Sequence, residues 1–189
     1  METSGAVKIF TRSFEARGLK YTSYIGDGDS KTFLAVRDPK PHDSDVEKHE
    51  CIGHVQKRMG TRQGFAASRS KRRLTEKDID SLQYYYGKAI RENTHALEAM
   101  RKAVWAIYFH KLSTDEDPNH GLCPPGESSW CGYNRSLALG SAEPYQHKNF
   151  LPETVMTSIK PTFQALAAPE LQRKCLQGEC RMLTSPSIT

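Results

Sequence analysis

The sequence of 189 residues lacks the long apolar runs and the apolar leader that would direct a chain into or across a membrane. No apolar segment approaches the roughly 20 residues that a membrane-spanning helix needs, and the N-terminus has no signal-peptide pattern. The five cysteines are odd in number and irregularly spaced. We therefore expect reduced thiols or metal ligands rather than a disulfide framework. The length is sufficient for one globular domain with a real core.

Acidic residues are absent between Cys51 and Leu74, where seven cations exceed the net charge of +5 of the whole chain. Such a concentration fits contact with a nucleic-acid backbone, because affinity grows with the number of cations presented to phosphates. A solvated basic loop or a localisation signal would give the same pattern. The seven cations are Lys57, Arg58, Arg62, Arg69, Lys71, Arg72 and Arg73.

Two carboxylates follow a β-favouring segment directly. Residues 21–26 alternate as a strand does and run into Asp27-Gly28-Asp29. In open parallel sheets, ligands bind beyond the carboxyl ends of the strands, and acidic residues placed there can hold a divalent cation over a phosphate. A surface turn is the alternative, since Asp-Gly is a common turn dipeptide.

The order of predicted elements indicates an α/β fold with few strands. A helix capped by Ser4 precedes the strand that ends at Asp27, and a helix over 30–36 leads to a second predicted strand over 50–55. Strand, helix and strand in this order predict two neighbouring parallel strands. Because parallel strands are normally buried within a larger sheet, two strands suggest part of a sheet domain.

Helical patterns dominate from Leu74 onward. Thr75-x-x-Asp78 is a capping signature, and apolar residues then recur at helical spacing through two helices. Residues 113–149, rich in Pro, Gly, Ser and Asp, are predicted to be a loop, and Pro152 opens a further helix. This part of the chain is therefore predicted to be a helical insertion.

Cysteine and histidine residues form two candidate metal motifs. Cys51-x-x-His54, on the predicted second strand, has the spacing of half a zinc site. For the second motif, in the predicted loop, the metal-free alternative is that Cys123 and Cys131 are buried thiols and His120 is a hydrogen-bonding group. Nothing marks an oxyanion hole, so a nucleophilic Cys-His enzyme is disfavoured.

The richer motif lies in the predicted loop. His120-x-x-Cys123 and Cys131 supply three ligands, and His110 and His147 are both in range to supply a fourth. Three ligands with a fourth nearby would make a closed structural zinc site.

Four segments carry a joint pattern that is specific when taken together. They are Gly26-Asp27-Gly28-Asp29-Ser30-Lys31, the segment 50–62 with Cys51-x-x-His54, the segment 103–115 beginning Ala103-Val-Trp105, and the segment 120–131 ending Trp130-Cys131. With this pattern the chain resembles the Mutator-like transposases of animal mobile elements. The resemblance extends to about Gln177 or Gly178.

The resemblance implies a ribonuclease H-like fold with an Asp-Asp-Glu triad that binds two divalent metal ions, Mg or Mn, and cuts and rejoins DNA. It makes Asp27 the second triad Asp, with Asp29 the less favoured candidate, and Cys51 and His54 the downstream Cys-x-x-His motif. It also implies a nuclear protein whose partners are DNA, as transposon ends or target, and an intact transposase, with no small-molecule substrate. The DNA contacts would then come from Lys57, Arg58, Arg62, Lys71, Arg72 and Arg73.

The family pattern also has two departures. The first triad Asp is expected upstream of residue 1, and the Glu is expected in an Asn-Glu-Ser-Phe-Asn helix soon after Gly178, where this sequence reads Arg181-Met-Leu-Thr-Ser-Pro-Ser-Ile-Thr189. This tail can be encoded by a set of codons that, when read with the frame shifted by one base, gives Asn-Ala-Asn-Glu-Ser-Phe-Asn-Asn. We therefore hypothesise that a frameshift removed the catalytic Glu.

These observations define the expected organisation and activity. The fold class is α/β, a partial ribonuclease H-like domain with two parallel strands and a mainly α-helical insertion. We expect the chain to be catalytically inactive by itself, because two of the three triad acids are missing. The alternative is a non-catalytic DNA- or protein-binding module derived from a transposase. The expected segments are a partial core over 1–56, a basic connector over 57–73, a helical insertion over 74–178 that contains the Cys/His loop 113–149, and an out-of-frame tail over 179–189.

Overall fold

A computed structural model describes residues 2–26, 30–67, 74–143 and 145–176 of the chain. Helices predominate in these ranges, and they accompany a small parallel sheet. The elements in chain order are α1 (Glu2–Arg17), β1 (Ser23–Gly26), α2 (Ser30–Arg37), a 3-10 turn (Pro41–Asp43), β2 (Glu47–Glu50), α3 (Ile52–Ala67), α4 (Glu76–Arg91), α5 (Leu97–Leu112), α6 (Gly132–Ala138), α7 (Glu153–Leu166) and α8 (Pro169–Arg173).

The two strands form the predicted parallel pair. Their register runs from Ser23 opposite Glu47 to Gly26 opposite Glu50. Helices α1 and α2 accompany this sheet, and its small core consists of buried apolar side chains. Phe10, Val36 and Val46 form this core. The α/β class and the parallel strand order are therefore confirmed for the described residues.

The second strand was predicted too late in the chain. It spans Glu47–Glu50, and the segment 52–55 that was predicted as strand forms the first turn of α3. The Cys51 carbonyl accepts hydrogen bonds from the backbone N–H groups of His54 and Val55, both at 3.0 Å, so the chain turns into a helix at once. Ile52, Val55 and Met59 are then buried at helical spacing. The Cys-x-x-His motif thus lies at a helix start rather than on a strand.

The main core is formed by the helices that follow the sheet. Helices α3, α4, α5 and α7 pack around fully buried side chains that include Tyr86, Met100 and Phe163. The predicted cap of α4 is present, since Thr75 accepts from the backbone of Asp78 and the Asp78 side chain accepts from the backbone of Thr75. The helical part of the fold therefore contains most of the buried apolar surface.

One detail of the helical part differs from the sequence-based expectation. The segment 113–149, predicted as a loop, contains a short helix, α6, because Cys131 caps its N-terminus through the backbone N–H of Asn134. Helix α7 opens after Pro152, as predicted, and continues through Pro161. The order of the long helices is as predicted.

The C-terminal part of the described chain returns to the sheet. The backbone N–H of Glu50, the last residue of β2, donates to the carbonyl of Lys174 at 2.8 Å. The sheet and the end of the helical part are therefore in direct contact. None of the helices in the described ranges combines the length and the apolarity needed to span a bilayer.

Candidate metal centre

Four side chains from α5 and the following loop converge at one point. His110 lies in the last turn of α5, and the chain then folds back so that His120, Cys123 and Cys131 face it. Their four candidate ligand atoms all lie within 4.8 Å of one another. Among the described residues, these four side chains form a group that is close enough together to hold one metal ion.

Local hydrogen bonds shape the loop that presents these residues. The backbone N–H of Cys123 donates to the carbonyl of His120 at 3.0 Å, which forms a tight turn between the two side chains. The hydroxyl of Ser129 donates to the carbonyl of Pro124 at 2.6 Å and accepts from the backbone N–H of Cys131 at 3.1 Å. The loop thus brings Cys131 back to Cys123 without regular secondary structure.

Asn134 holds the same loop from the other side. Its side-chain amide donates toward the carbonyls of His120 at 3.4 Å, Cys123 at 3.2 Å and Pro124 at 3.2 Å. Because Asn134 belongs to α6, this single amide connects the short helix to the turn that carries two of the four converging residues.

The cluster is largely shielded from water. His120 is 4% exposed, Cys123 is 5% exposed and Cys131 is fully buried. The ring of Tyr133 stacks on His120 with centroids 4.4 Å apart, and Trp130 packs edge-on against His110. A metal ion held here would have little access to substrate, which is typical of a structural site.

The electrostatics of the cluster favour the ligand protonation state at two of its members, Cys131 and His120. The hydrogen bond from Cys123 lowers the pKa of Cys131 to about 4, helped by His110 and the backbone of Asn134. The same hydrogen bond raises the pKa of Cys123, so the two thiols share one proton. Burial lowers the pKa of His120, which keeps its imidazole neutral. The cluster therefore offers a thiolate and a neutral imidazole near neutral pH.

A second pair of residues extends outward from His120. Its Nε2 lies 2.7 Å from Nε2 of His147, and Nδ1 of His147 lies 2.6 Å from a carboxylate oxygen of Asp115. The backbone N–H of His147 also donates to that oxygen at 2.8 Å. Hydrogen bonds from His147 lower the pKa of Asp115, so this carboxylate is ionised.

Three of the predicted zinc ligands are thus brought together, and His110 joins them. Both His110 and His147 are within range in the sequence. The structure puts His110 among the four, and it puts His147 in contact with His120 from outside. The distinction was invisible in the sequence because it depends on the turn of α5 from which His110 projects.

The other predicted metal motif is not part of this cluster. Cys51 is disulfide-bonded, so its sulfur is not a free thiolate in this state, and His54 is exposed on α3. The expectation of reduced thiols is met at Cys123, Cys131 and Cys175 but not at Cys51. Metal binding by the Cys-x-x-His motif stays a prediction.

The predicted catalytic acids Asp27 and Asp29 lie outside the described residues. Strand β1 ends at Gly26, one position before Asp27, and pairs there with Glu50. Their catalytic role therefore stays a prediction.

The predicted DNA-binding cations fall into three groups. Lys57 is exposed on α3, whereas Arg58 donates to the buried carboxylate of Glu50 at 2.8 Å, with 29% and 8% of their side chains exposed. Arg62 belongs to α3, but its side chain is not among those that the structure describes. The remaining predicted contacts also lie outside the described residues. They are Lys71, Arg72 and Arg73.

Comparison with known proteins matches the chain to a protein family. The family model described as Mutator-like transposase matches residues 1–131, which is more than half of the sequence. This range includes both strands and all four residues of the cluster. No curated protein and no solved structure matches the chain.

Proposed function

The chain belongs to the Mutator-like transposase family, and on that premise we propose that it forms part of the DNA-cutting region of a mobile-element transposase. The match over residues 1–131 carries this proposal. The parallel pair supports it, because β1 ends immediately before Asp27 and β2 begins within the matched range. Asp27 would then be the second acid of an Asp-Asp-Glu triad on a ribonuclease H-like sheet, with Asp29 the less favoured candidate.

Divalent Mg or Mn would be the catalytic cofactor of such a site. Two-metal phosphoryl transfer needs several carboxylates in a fixed clamp, and residues 181–189 of this sequence do not contain the Asn-Glu-Ser-Phe-Asn motif that the family resemblance predicts. We therefore propose that this chain, tested alone, does not cut DNA.

A nicking assay tests this part of the proposal. Supercoiled plasmid is incubated with the 189-residue chain in Mg²⁺ or Mn²⁺, beside the Asp27→Asn variant as the matched control. We expect no metal-dependent nicking above the level of the variant. Nicking by the wild-type chain that Asp27→Asn abolishes would overturn the inactivity and would establish Asp27 as a catalytic residue.

The basic segment would supply contacts to the DNA backbone in the nucleus. Lys57 is available for this on the exposed side of α3, whereas Arg58 is engaged with Glu50. We propose Lys71, Arg72 and Arg73 as further phosphate contacts because of their charge and their neighbourhood in the sequence.

Salt-dependent binding to duplex DNA tests these contacts. Replacing the three residues 71–73 by Gln should weaken binding and make the dependence of log affinity on log salt shallower by about 2 to 3, near one unit per lost phosphate contact. The control replaces three exposed cations of the helical part with Gln, and it should leave affinity unchanged. These control positions are Lys77, Lys102 and Lys160. Equal losses in both variants would refute a specific basic surface.

The same measurements separate the alternative function. Salt-dependent DNA binding without nicking fits a non-catalytic module that occupies transposon ends or associates with an intact transposase. The wild-type chain and the variant with Gln at residues 71–73 can each be tested for copurification with a full-length family transposase. A difference between the two would show that the association depends on DNA.

A further inference from the structure

We propose that His110, His120, Cys123 and Cys131 bind one structural Zn²⁺ ion that fastens the segment 113–149 to helix α5. The proposal rests on the geometry of the four side chains, on their burial and on the outer hydrogen bonds of His120. It concerns the helical part and is independent of the catalytic role proposed for Asp27.

Four of the six distances between the candidate ligand atoms are close to those of a tetrahedral zinc site, and all six are within 4.8 Å. Zinc binds imidazole nitrogen at about 2.0 Å and thiolate sulfur at about 2.3 Å. Ligand atoms at tetrahedral corners are therefore separated by about 3.3 Å for two nitrogens and about 3.5 Å for nitrogen and sulfur. The Nδ1 atoms of His110 and His120 are 3.2 Å apart. The sulfur of Cys123 is 3.8 Å from each of these nitrogens, and the sulfur of Cys131 is 3.4 Å from Nδ1 of His120.

The composition of the cluster selects zinc among the common divalent ions. Two thiolates and two imidazoles are a familiar structural zinc set, whereas Mg²⁺ and Ca²⁺ take oxygen ligands. Four protein ligands also fill a tetrahedral ion completely. Together with the burial of His120, Cys123 and Cys131, this leaves no open position for a reacting water, so the ion would be structural.

The outer residues orient His120 toward such an ion. With Nδ1 of His120 directed at the other ligand atoms, its Nε2–H can donate to Nε2 of His147 at 2.7 Å. The Nδ1–H of His147 then donates to the ionised Asp115 at 2.6 Å. This proton arrangement is assigned from the hydrogen-bond partners, and it leaves the lone pair of His120 Nδ1 free for the metal. Asp115 and His147 are therefore positioning residues.

Cys131 has a supporting contact of its own. The backbone N–H of Asn134 donates to its sulfur at 3.5 Å, and a hydrogen bond of this kind stabilises the charged thiolate. The ion would thus connect three parts of the chain, namely the end of α5, the turn at 120–123 and the start of α6.

Cobalt substitution tests the ligand set directly. The purified chain is stripped of metal under reducing conditions and titrated with Co²⁺, whose thiolate bonds give charge-transfer absorption and whose tetrahedral geometry gives intense visible bands. We expect saturation at one Co²⁺ per chain and displacement by Zn²⁺. The variants Cys123→Ser and Cys131→Ser should lose the tetrahedral spectrum, while Cys175→Ser and His54→Ala should keep it.

Two further variants keep the test decisive if the serine variants fail to fold. Cys131→His retains four ligands, so it should bind one Co²⁺ with about half of the charge-transfer absorption, because one of two thiolates remains. His147→Ala should retain the spectrum but bind Co²⁺ about 10- to 100-fold more weakly, the range measured for loss of such outer partners.

Three results would overturn the proposal. They are the absence of tetrahedral Co²⁺ absorption in the wild-type chain, a loss of the spectrum in Cys175→Ser or His54→Ala equal to that in Cys123→Ser, and unchanged charge transfer in Cys131→His. None of these results bears on nicking or on DNA binding by residues 71–73, so failure here is distinguishable from failure of the proposed function.

Discussion

Removal of the Asn134 side chain should measurably loosen the loop that carries the converging Cys and His residues. Its amide donates toward three carbonyls, those of His120, Cys123 and Pro124, at 3.2 to 3.4 Å. An amide has two hydrogens, and each hydrogen bond contributes about 0.5–1.5 kcal/mol net. Asn134→Ala should therefore lower the free energy of unfolding by about 1–3 kcal/mol, which is roughly 2–12 °C in melting temperature for a domain of this size.

A matched pair of variants separates this effect from ordinary truncation. Asn93→Ala removes the same amide from a site where it donates to the carbonyl of Ala89 at 2.7 Å, so the loss there should be smaller. Asn134→Asp keeps the shape but directs a carboxylate at carbonyl oxygens, so it should destabilise more than Asn134→Ala.

Thermal unfolding followed by far-UV circular dichroism, in chelating buffer, measures all three variants without any contribution from bound metal. Two results would contradict this role of the Asn134 amide. They are a wild-type melting temperature for Asn134→Asp, and a fall in melting temperature for Asn134→Ala no larger than that for Asn93→Ala.

Three further changes test the packing and the electrostatics. Arg58→Met should lower the free energy of unfolding by about 2 kcal/mol, because it leaves the buried Glu50 carboxylate without its Arg58 partner. In urea unfolding, the control Lys57→Met, at an exposed neighbouring position, should change this free energy by less than about 0.5 kcal/mol. Equal effects of the two variants would contradict the ion pair. Thr75→Ala should cost about 1 kcal/mol by removing the capping box of α4, and Thr75→Ser should restore most of it in the same assay. Burial lowers the pKa of Lys111. Below this lowered pKa the buried charge destabilises the native state, and the destabilisation disappears as the pH rises toward about 10.4, the pKa in the unfolded chain. Lys111→Met should therefore raise the melting temperature most near neutral pH, with a gain that shrinks toward about pH 10; a gain that is constant over this range would show that the charge is not the cause.

Local patterns predicted the parts of this fold that depend on neighbours in sequence. The cap at Thr75 was predictable because both of its partners lie three residues apart. The second strand was misplaced because a short run containing Ile52 and Val55 fits a strand as well as a buried helical turn. Only packing distinguishes a strand from a helical turn at this segment, and the burial of Met59 on the same face is consistent with the helix.

The candidate metal centre shows the same division. The spacing of His120, Cys123 and Cys131 within one loop was enough to predict a shared site. The choice of His110 as their neighbour depends on how the loop folds back onto α5. The contact between Asp115 and His147 spans 32 positions, and no periodicity or spacing rule predicts it.

The hydrogen bond between Glu50 and Lys174 has a consequence for how this chain can vary. The two ends of the segment 51–173 meet at the edge of the strand pair, so the whole helical part leaves and rejoins the sheet at one place. A segment with adjoining ends can be lengthened, shortened or exchanged without changing the distance that the sheet must bridge, because the loop-closure cost grows only slowly with length. The segment 51–173 can therefore be deleted or exchanged as one unit. In a deletion variant, a short Gly-Ser linker would join residues 50 and 174.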